Sequence, residues 1–289
     1  MDCNTVAQIL APLGFHKPVS VMPFIREEDG DSCNVWKLDA PGVTTVLKNV
    51  TPREKATLEA FFPLGGCGTP RIYGFAQYAG DTYMLSEFFY GETLSRSSRK
   101  ALTLALDALI QIQEQYWGNT TLCDAGWTFE KQYASLRKRL PYMEDLSNAY
   151  SAYLEVNRSV PRTLCNDDLL PFNVLANEER AVILDWEQGG ILPYPCALAR
   201  LLAFGEENTD FFFQMTRADK EFAIDYYYDR LLQNKGISRV QYLHDLKLFF
   251  FKEYSEWVYL ARSTGDFSSP YYEKYYPKAK ALAMDLGLY

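Results

Sequence analysis

Three polar residues near the middle of the chain have the types and spacing needed for phosphoryl transfer. Asp168 is followed five residues later by Asn173, and Asp185 comes twelve residues after that, at the end of the apolar run 182–184. Phosphoryl transfer uses one carboxylate to orient the attacking hydroxyl, and an amide oxygen with a second carboxylate to hold the divalent cations that bridge the phosphates. Hard oxygen ligands suit magnesium, Mg2+. The pattern therefore predicts Asp168 as the catalytic carboxylate and Asn173 with Asp185 as metal ligands.

The composition is typical of an acidic globular protein. Of 289 residues 48% are hydrophobic, and 29 basic against 37 acidic residues give a net charge of −8. The acidic balance argues against a nucleic-acid partner, because binding to phosphate backbones depends on basic residues. No stretch approaches the roughly 18 apolar residues of a membrane-spanning helix, and the N-terminus lacks the features of a secretion signal. We expect a cytoplasmic monomer or homodimer that binds neither nucleic acid nor membrane.

Cysteine and histidine chemistry is not expected. The six cysteines are separated by 30 or more residues each time, so no CxxC pair occurs, and the two histidines, His16 and His244, lie in no recognisable catalytic context. This arrangement excludes a zinc knuckle and a thioredoxin-type motif. The sequence predicts free, reduced thiols.

The hydrophobic pattern changes along the chain from strands to helices. A short helix is predicted over 5–13, and a second helix runs from the Thr51 N-cap to about Phe62. Strands are predicted over 19–38, 43–50, 71–76 and 82–86. Helical spacing recurs over 97–116, 128–156, 217–234, 240–262 and 270–286, with short β segments at 163–165, 174–176 and 182–184. The sequence predicts an α+β protein with a small antiparallel lobe over 1–90, a hinge at about 87–92, and a mainly helical lobe over 91–289.

The segment around Asp168 resembles a known family of kinases. Members of the aminoglycoside phosphotransferase and choline kinase family, relatives of the protein kinases, have His-x-Asp-x-x-x-x-Asn and then an apolar strand that ends in Asp-Trp or Asp-Phe. This chain has Asn166-Asp167-Asp168-Leu-Leu-Pro-Phe-Asn173 and Ile183-Leu-Asp185-Trp186. Both parts match at the expected separation, and the resemblance extends over essentially the whole chain. It implies a two-lobed protein-kinase-like fold and magnesium-dependent transfer of the γ-phosphate of ATP or GTP to a hydroxyl of a small molecule.

The resemblance also implies a lysine that positions the phosphates. Lys48, near the end of the strand 43–50, looks like the kinase lysine that binds the α- and β-phosphates. Glu54 shares a helix face with Leu58 and Phe61, which makes it the preferred ion-pair partner of Lys48. The alternative is that Lys48 is an ordinary edge-strand lysine and Glu54 only a favourable acid at a helix N-terminus.

Two further segments look like nucleotide-binding elements of the family. Gly30 and Ser32 lie in a segment that resembles the phosphate-covering turn, although an ordinary hairpin turn fits the local sequence equally well. Glu87, Phe88 and Phe89 resemble the connector that holds the purine, and their backbone would supply the hydrogen bonds to the base. The two phenylalanines are equally compatible with core positions.

The chain departs from the family at two positions. The histidine that usually opens the catalytic loop is Asn166, and Ala197-Leu198-Ala199 stands where the family commonly has Asp-Leu-Ala. Because the two family residues contact the same loop, we interpret the double change as the replacement of one supporting contact. Such losses commonly lower activity about 10- to 100-fold at metal sites. A kinase-like protein that binds nucleotide without catalysis is the alternative.

The acceptor site is predicted from acids and aromatics. In the family the acceptor lies between the catalytic loop and the C-terminal helices, where this chain has Glu253, Glu256 and Trp257. Asp167 and Glu187 are further candidates, although a solvated loop acid is the preferred interpretation of Asp167. Acids would bind ammonium groups, and aromatics a quaternary amine. The favoured acceptor is therefore cationic, an aminoglycoside-like amino sugar first and choline or another amino alcohol second.

Overall fold

An antiparallel sheet of five strands occupies the N-terminal part of the chain. The computed structural model describes residues 1–15, 17–25, 32–63, 65–95, 98–118, 125–206 and 214–289. The strands are β1 (Ser20–Ile25), β2 (Ser32–Ala40), β3 (Val43–Asn49), β4 (Ile72–Tyr78) and β5 (Asp81–Glu87), in the spatial order β1-β2-β3-β5-β4. The buried residues of β3 alternate along the strand, as expected for a sheet with one face packed in the core.

Two helices pack on opposite sides of this sheet, and the Lys48 side chain points toward the second of them. Helix α1 (Cys3–Leu10) packs against the face of β3 that carries Leu47. Lys48, the next residue, therefore points to the opposite side of the sheet. There it meets helix α2 (Pro52–Phe61), which begins where Thr51 Oγ1 accepts a hydrogen bond from the Glu54 N–H at 3.1 Å. Glu54 is buried on the same helix face as Leu58.

Helices form most of the rest of the chain. Within the described ranges they are α3 (Arg99–Gln115), α4 (Phe129–Arg137), α5 (Ser147–Ser159), α6 (Pro195–Ala203), α7 (Arg217–Tyr227), α8 (Arg239–Thr264) and α9 (Pro270–Asp285). A large apolar core joins them, with α8 packed against α5, α6 and α9. None of the helices found in these ranges is long and apolar enough to cross a membrane.

Short strands carry the loops of the candidate site. They are β6 (Glu92–Thr93), β7 (Arg162–Asn166), β8 (Val174–Ala176), β9 (Ala181–Ile183) and β10 (Gly189–Pro193). Strand β7 pairs with β10, and β6, β8 and β9 form a second small sheet. The loop 167–173 follows β7 and the segment 184–188 follows β9, so each of the two polar segments identified in the sequence follows a short strand of one of these small sheets.

The α+β fold with its antiparallel N-terminal sheet is confirmed, and two local predictions need correction. The pattern over 128–156 is two helices rather than one, because Pro141 lacks an N–H donor and Glu144 has a φ of 47°, which is outside the helical range. Strand β10 had no counterpart in the sequence prediction. The position of the hinge at 87–92 stays a prediction. At the end of that range, Glu92 pairs with Ala176 of β8.

Candidate active site

Lys48 lies between two carboxylates on the inner side of the sheet. Its Nζ atom is 2.6 Å from Glu54 Oε1 and 3.2 Å from Asp185 Oδ1. Burial alone would lower the pKa of Lys48, but the charges of Glu54 and Asp185 outweigh burial, and the pKa is raised. The side chain is therefore a fixed cation at neutral pH. The ion pair with Glu54 that the sequence predicts is present, and the same lysine reaches the acid after β9.

Asp168 is held by an arginine that the sequence analysis did not single out. Arg200, on α6, donates to the Asp168 Oδ1 atom from Nη2 at 2.7 Å and from Nε at 3.1 Å. Burial raises the pKa of Asp168, and the Arg200 charge opposes that rise. Both hydrogen bonds use the same oxygen, and no described residue donates to Oδ2. The carboxylate is thus fixed in orientation while one of its oxygens stays available.

Asn166, which replaces the family histidine, links the two acidic segments through their backbones. Its Nδ2 donates to the carbonyl oxygens of Leu184 at 3.2 Å and Asp185 at 2.9 Å. Its Oδ1 accepts a hydrogen bond from the Asp168 N–H at 2.9 Å. Asn166 is only 1% exposed, so these bonds satisfy a buried amide. The expected supporting contact is made, by a different side chain.

Asn173 and Asp185 offer oxygen ligands beside Lys48 and Asp168. Asn173 Nδ2 donates to the backbone oxygen of Asp168 at 2.9 Å, which orients the amide and leaves its Oδ1 atom without a hydrogen bond to any described residue. Asp185 has a φ of 54°, a left-handed conformation that a non-glycine residue rarely adopts, and about half of its side chain is exposed. An amide and a carboxylate oxygen fit Mg2+, which is commonly held by one or two protein carboxylates together with waters and phosphates. In the described residues no cluster of three or more His, Cys, Asp or Glu side chains forms a metal site.

A pocket of about 290 Å3 lies next to Asp168. It is lined by Gln132 and Ser135 of α4, by Arg139 in the turn that follows α4, and by Lys252 and Glu256 of α8. Positions 132 and 135 share one face of α4 through their i+3 spacing. The pocket therefore combines the candidate base with a polar lining on two helices.

A buried charge network lies at the base of this pocket. Lys252 Nζ is 2.8 Å from Glu253 Oε1 and 3.6 Å from Asp167 Oδ1. Arg200 Nη1 is 2.9 Å from the second Glu253 oxygen, and Gln132 Nε2 donates to Asp167 Oδ2 at 2.8 Å. Asp167 is 9% exposed, so its interpretation as a solvated loop acid is wrong. A carboxylate is tolerated at that depth because a cation and an amide compensate its lost hydration.

The structure corrects several of the expected acceptor contacts. Glu253 is fully buried against Arg200 and Lys252, so it does not face an acceptor. Trp257 does not line the pocket and stacks on Tyr271 of α9, with ring centroids 4.1 Å apart. Both side chains point into the helical packing, which helical spacing alone did not distinguish from the pocket side.

The other two acids predicted there are already paired. Glu256 lines the pocket but lies 3.4 Å from Arg200 and 3.5 Å from Arg139. Burial would raise the pKa of Glu256, but Lys252, Arg200 and Arg139 outweigh it and lower the pKa. Glu187 is 2.9 Å from Arg53. Neither acid is therefore an unpaired carboxylate that could bind an ammonium group.

The predicted purine connector needs one correction. The Glu87 N–H donates to the Arg71 carbonyl at 2.8 Å, so it is not available to a base. Phe89 is a core residue, whereas Phe88 is half-buried with the Lys37 ammonium 5.2 Å from its ring centroid. Of these three residues, Phe88 therefore has the side chain best placed to contact a ligand.

The phosphate-covering turn is only partly described. Gly30 lies outside the described residues. Ser32 begins β2, and its Oγ atom accepts a hydrogen bond from the Asn34 N–H at 3.2 Å. Asn34 has a φ of 56°, and the pairing of β1 with β2 shifts register at this end of the strand, as in a β-bulge.

Sequence reasoning missed Arg200 and Lys252, although a signal was present. Arg200 is the charged residue of α6, whose other members are apolar, and Lys252 follows three phenylalanines at 249–251. A lone cation in a buried apolar helix is rare unless it is paired. That rule would have predicted buried carboxylate partners for both residues.

Comparison with known structures identifies the fold. A structure from Ralstonia eutropha JMP134, assigned as an aminoglycoside phosphotransferase, aligns with a TM-score of 0.65 at 14% identity, over 98% of this chain and 96% of that one. A choline/ethanolamine kinase family protein from Mesorhizobium loti aligns with a TM-score of 0.61 at 14% identity, over 96% and 94% of the two chains. The chain has the fold of the protein-kinase-like small-molecule kinases. An amicoumacin kinase solved in complex with AMP-PNP, Ca2+ and Ami is also similar, with a TM-score of 0.61 at 12% identity over 99% and 93% of the two chains.

The chain is similar to these proteins in fold, but it matches no known family in sequence. No protein-family model matches this chain, and no curated protein matches it in sequence. At 10–14% identity the solved structures show the fold alone. The function of the chain therefore has to follow from the residues of its candidate active site.

Proposed function

We propose that this protein is a magnesium-dependent kinase that transfers the γ-phosphate of ATP or GTP to a hydroxyl group of a small molecule. The observation that carries the proposal is the convergence on Asp185. Lys48 contacts its carboxylate at 3.2 Å, and Asn166 links its backbone to that of Asp168. Phosphoryl transfer depends on positioning and on electrostatic stabilisation more than on covalent chemistry, and a preorganised group of this kind provides both.

Each residue has a role that its contacts support. Lys48, fixed by Glu54, would bind the α- and β-phosphates. Asp168, with Oδ1 held by Arg200 and Oδ2 available, would orient the acceptor hydroxyl and take its proton. Asn173 and Asp185 would hold Mg2+, which supplies charge neutralisation on the phosphates. Phe88 would contact the purine.

The acceptor is a small molecule in the pocket beside Asp168. A volume of about 290 Å3 is at the lower end of ligand pockets, which span about 300–1,000 Å3. It fits an amino alcohol or a single sugar ring better than a multi-ring aminoglycoside. The acids that would favour a cation are paired within the protein, so the proposal does not require a cationic acceptor.

The first experiment is calorimetric titration of ATP and of GTP, each with and without magnesium. We expect binding of at least one nucleotide that strengthens when magnesium is present and loses this dependence in Asp185→Asn. The matched control is Asp285→Asn, which changes an exposed acid paired with Lys247. Binding that ignores magnesium, or no binding, would favour the non-catalytic alternative and contradict the proposal.

The second experiment separates binding from catalysis. In an acceptor panel, Asp168→Asn should lose about 10²- to 10⁴-fold in turnover, the usual contribution of a general base, with nucleotide affinity unchanged. Wild-type turnover in this variant would show that Asp168 is not the base.

A further inference from the structure

The pocket beside Asp168 contains the guanidinium of Arg139, from which no described residue accepts a hydrogen bond. Arg139 has 18% of its side chain exposed, and in the described part of the chain its closest carboxylate is Glu256 at 3.5 Å. An N–H···O hydrogen bond is about 2.7–3.2 Å long, so this contact is a loose one. Buried and half-buried polar groups normally have hydrogen-bond partners. The Arg139 donors are therefore open to a ligand, since no described residue accepts a hydrogen bond from them.

The position of Arg139 is fixed, which distinguishes it from a mobile surface arginine. Its guanidinium carbon lies 5.2 Å from the ring centroid of Tyr259, within the range of a cation–π interaction. Ser135, on the last turn of α4, lines the same pocket. An anion in the pocket would meet a preorganised guanidinium with a hydroxyl beside it.

The charges around the pocket do not favour an ammonium group there. Four cationic side chains, Arg53, Arg139, Arg200 and Lys252, line it together with three acids, so the lining has more cations than acids. An incoming ammonium would add a fifth cation to this lining, and an unpaired buried cation is strongly unfavourable. An incoming carboxylate would bring the charges of the lining closer to balance, and the 3.5 Å contact between Arg139 and Glu256 is too long to be a normal hydrogen bond.

We infer that the acceptor is a small alcohol that carries a carboxylate, which Arg139 binds while the alcohol oxygen faces Asp168. This inference rests on the proposed kinase function. Arginine binds a carboxylate through two parallel N–H···O hydrogen bonds, which would also orient the rest of a small molecule. In the reaction the alcohol oxygen bonds to the γ-phosphorus and the bond from that phosphorus to the β,γ-bridging oxygen breaks. The nucleoside diphosphate leaves with the electron pair of that bond, and the alcohol proton passes to Asp168.

Acceptor pairs that differ by one carboxylate test the inference. Ethanolamine becomes serine, and ethylene glycol becomes glycerate, when a hydrogen on carbon is replaced by a carboxylate. Binding of all four is measured by calorimetry with the full chain, magnesium and a non-hydrolysable nucleotide, and phosphorylation is followed by phosphorus NMR with ATP and with GTP. We expect a carboxylate-bearing member to bind and react at least about 100-fold better than its partner, since a lost charge-assisted contact to a buried group costs that much or more.

A matched pair of variants assigns the effect to one residue. Arg139→Gln should reduce the preference for the carboxylate to less than about tenfold, with nucleotide binding unchanged. Arg137→Gln makes the same change two residues earlier, at an exposed position in the last turn of α4, and should keep the wild-type preference.

The possible results separate the two proposals. Magnesium-dependent nucleotide binding together with equal use of both members, a preference for the amine, or no interaction with serine or glycerate would overturn the anionic acceptor and leave the kinase proposal standing. Loss of the preference in both arginine variants would overturn the role of Arg139. Absence of magnesium-dependent nucleotide binding would overturn the kinase proposal, and the inference with it.

Discussion

Replacing Arg200 with methionine removes the cation that orients Asp168 and pairs with a buried acid. Arg200 donates to Asp168 at 2.7 and 3.1 Å and lies 2.9 Å from Glu253, which is 0% exposed. A hydrogen bond to a charged group contributes about 1.5–3 kcal/mol, and Glu253 keeps Lys252 as a partner at 2.8 Å. Asp168 is 29% exposed, so water can replace part of its lost contact. We therefore expect Arg200→Met to lower the free energy of unfolding by about 2–3 kcal/mol.

The same variant should change the pH dependence of turnover. Burial raises the pKa of Asp168 and Arg200 opposes the rise, so removing Arg200 raises that pKa further. A general base acts only when deprotonated. Turnover should therefore begin to fall at a higher pH on the acidic side than in the wild-type protein, and its plateau should drop about 10- to 100-fold because the carboxylate is less well placed.

Two comparison variants separate charge from stability. Arg200→Lys keeps the positive charge but not the two hydrogen bonds to one Asp168 oxygen. The pH at which its turnover falls on the acidic side should therefore stay closer to the wild-type value. Arg262→Met removes a mostly buried arginine that lies 2.8 Å from Asp145 and is not among the residues that line the pocket. This variant should lose stability and keep its pH profile. Urea denaturation and turnover from pH 5 to 9 measure both effects. The reasoning would be refuted if the free energy of unfolding of Arg200→Met were within about 0.5 kcal/mol of the wild-type value. It would also be refuted if turnover fell at the same acidic pH in both proteins.

Two further substitutions test the nucleotide side of the site and its packing. Glu54→Gln removes the carboxylate 2.6 Å from Lys48 and should weaken ATP binding about 10- to 100-fold by calorimetry, whereas equal affinity would show that Lys48 needs no partner. Gly126→Ala and Gly118→Ala add a methyl group at nearly the same φ, +67° and +69°, but only at Gly126 would it overlap Thr57. Gly126→Ala should therefore lower the free energy of unfolding by about 1–3 kcal/mol more than Gly118→Ala, and equal urea midpoints would contradict the close approach of Gly126 to Thr57.

Local sequence signals predicted the elements that carry the site. Thr51 and Pro52 mark the start of α2, and from that start the 3.6-residue period places Glu54 on the buried face that meets Lys48. The separation of Asp168, Asn173 and Asp185 predicted two polar segments after short strands. These inferences succeed because each depends on residues within about a dozen positions of one another, where backbone geometry fixes which side chains share a face.

The pairings that define the pocket depend on distant residues, so the sequence did not predict them. Arg200 meets Asp168 across 32 residues and Glu253 across 53. The interpretation of Glu253 as an acid facing the acceptor was wrong because helical spacing identifies a face and not what covers it. Helix α6 covers this face of α8, and the charge it contributes changes the chemistry of the pocket from acidic to mixed.

The buried charge network also helps to decide whether the catalytic loop, in which Asn166 replaces the family histidine, has lost its function. Charges removed from water are costly, and well-packed apolar residues in their place are often as stable or more stable. Fold stability alone therefore does not explain Arg200, Glu253, Lys252 and Asp167 beneath one pocket. Their arrangement has a specific consequence, because Arg200 is held by the fully buried Glu253 and in turn holds one oxygen of Asp168. Asn166 fixes the same residue through its backbone. Asp168 is thus anchored from both β7 and α6 while its second oxygen stays open, as a residue that receives a proton from an acceptor requires.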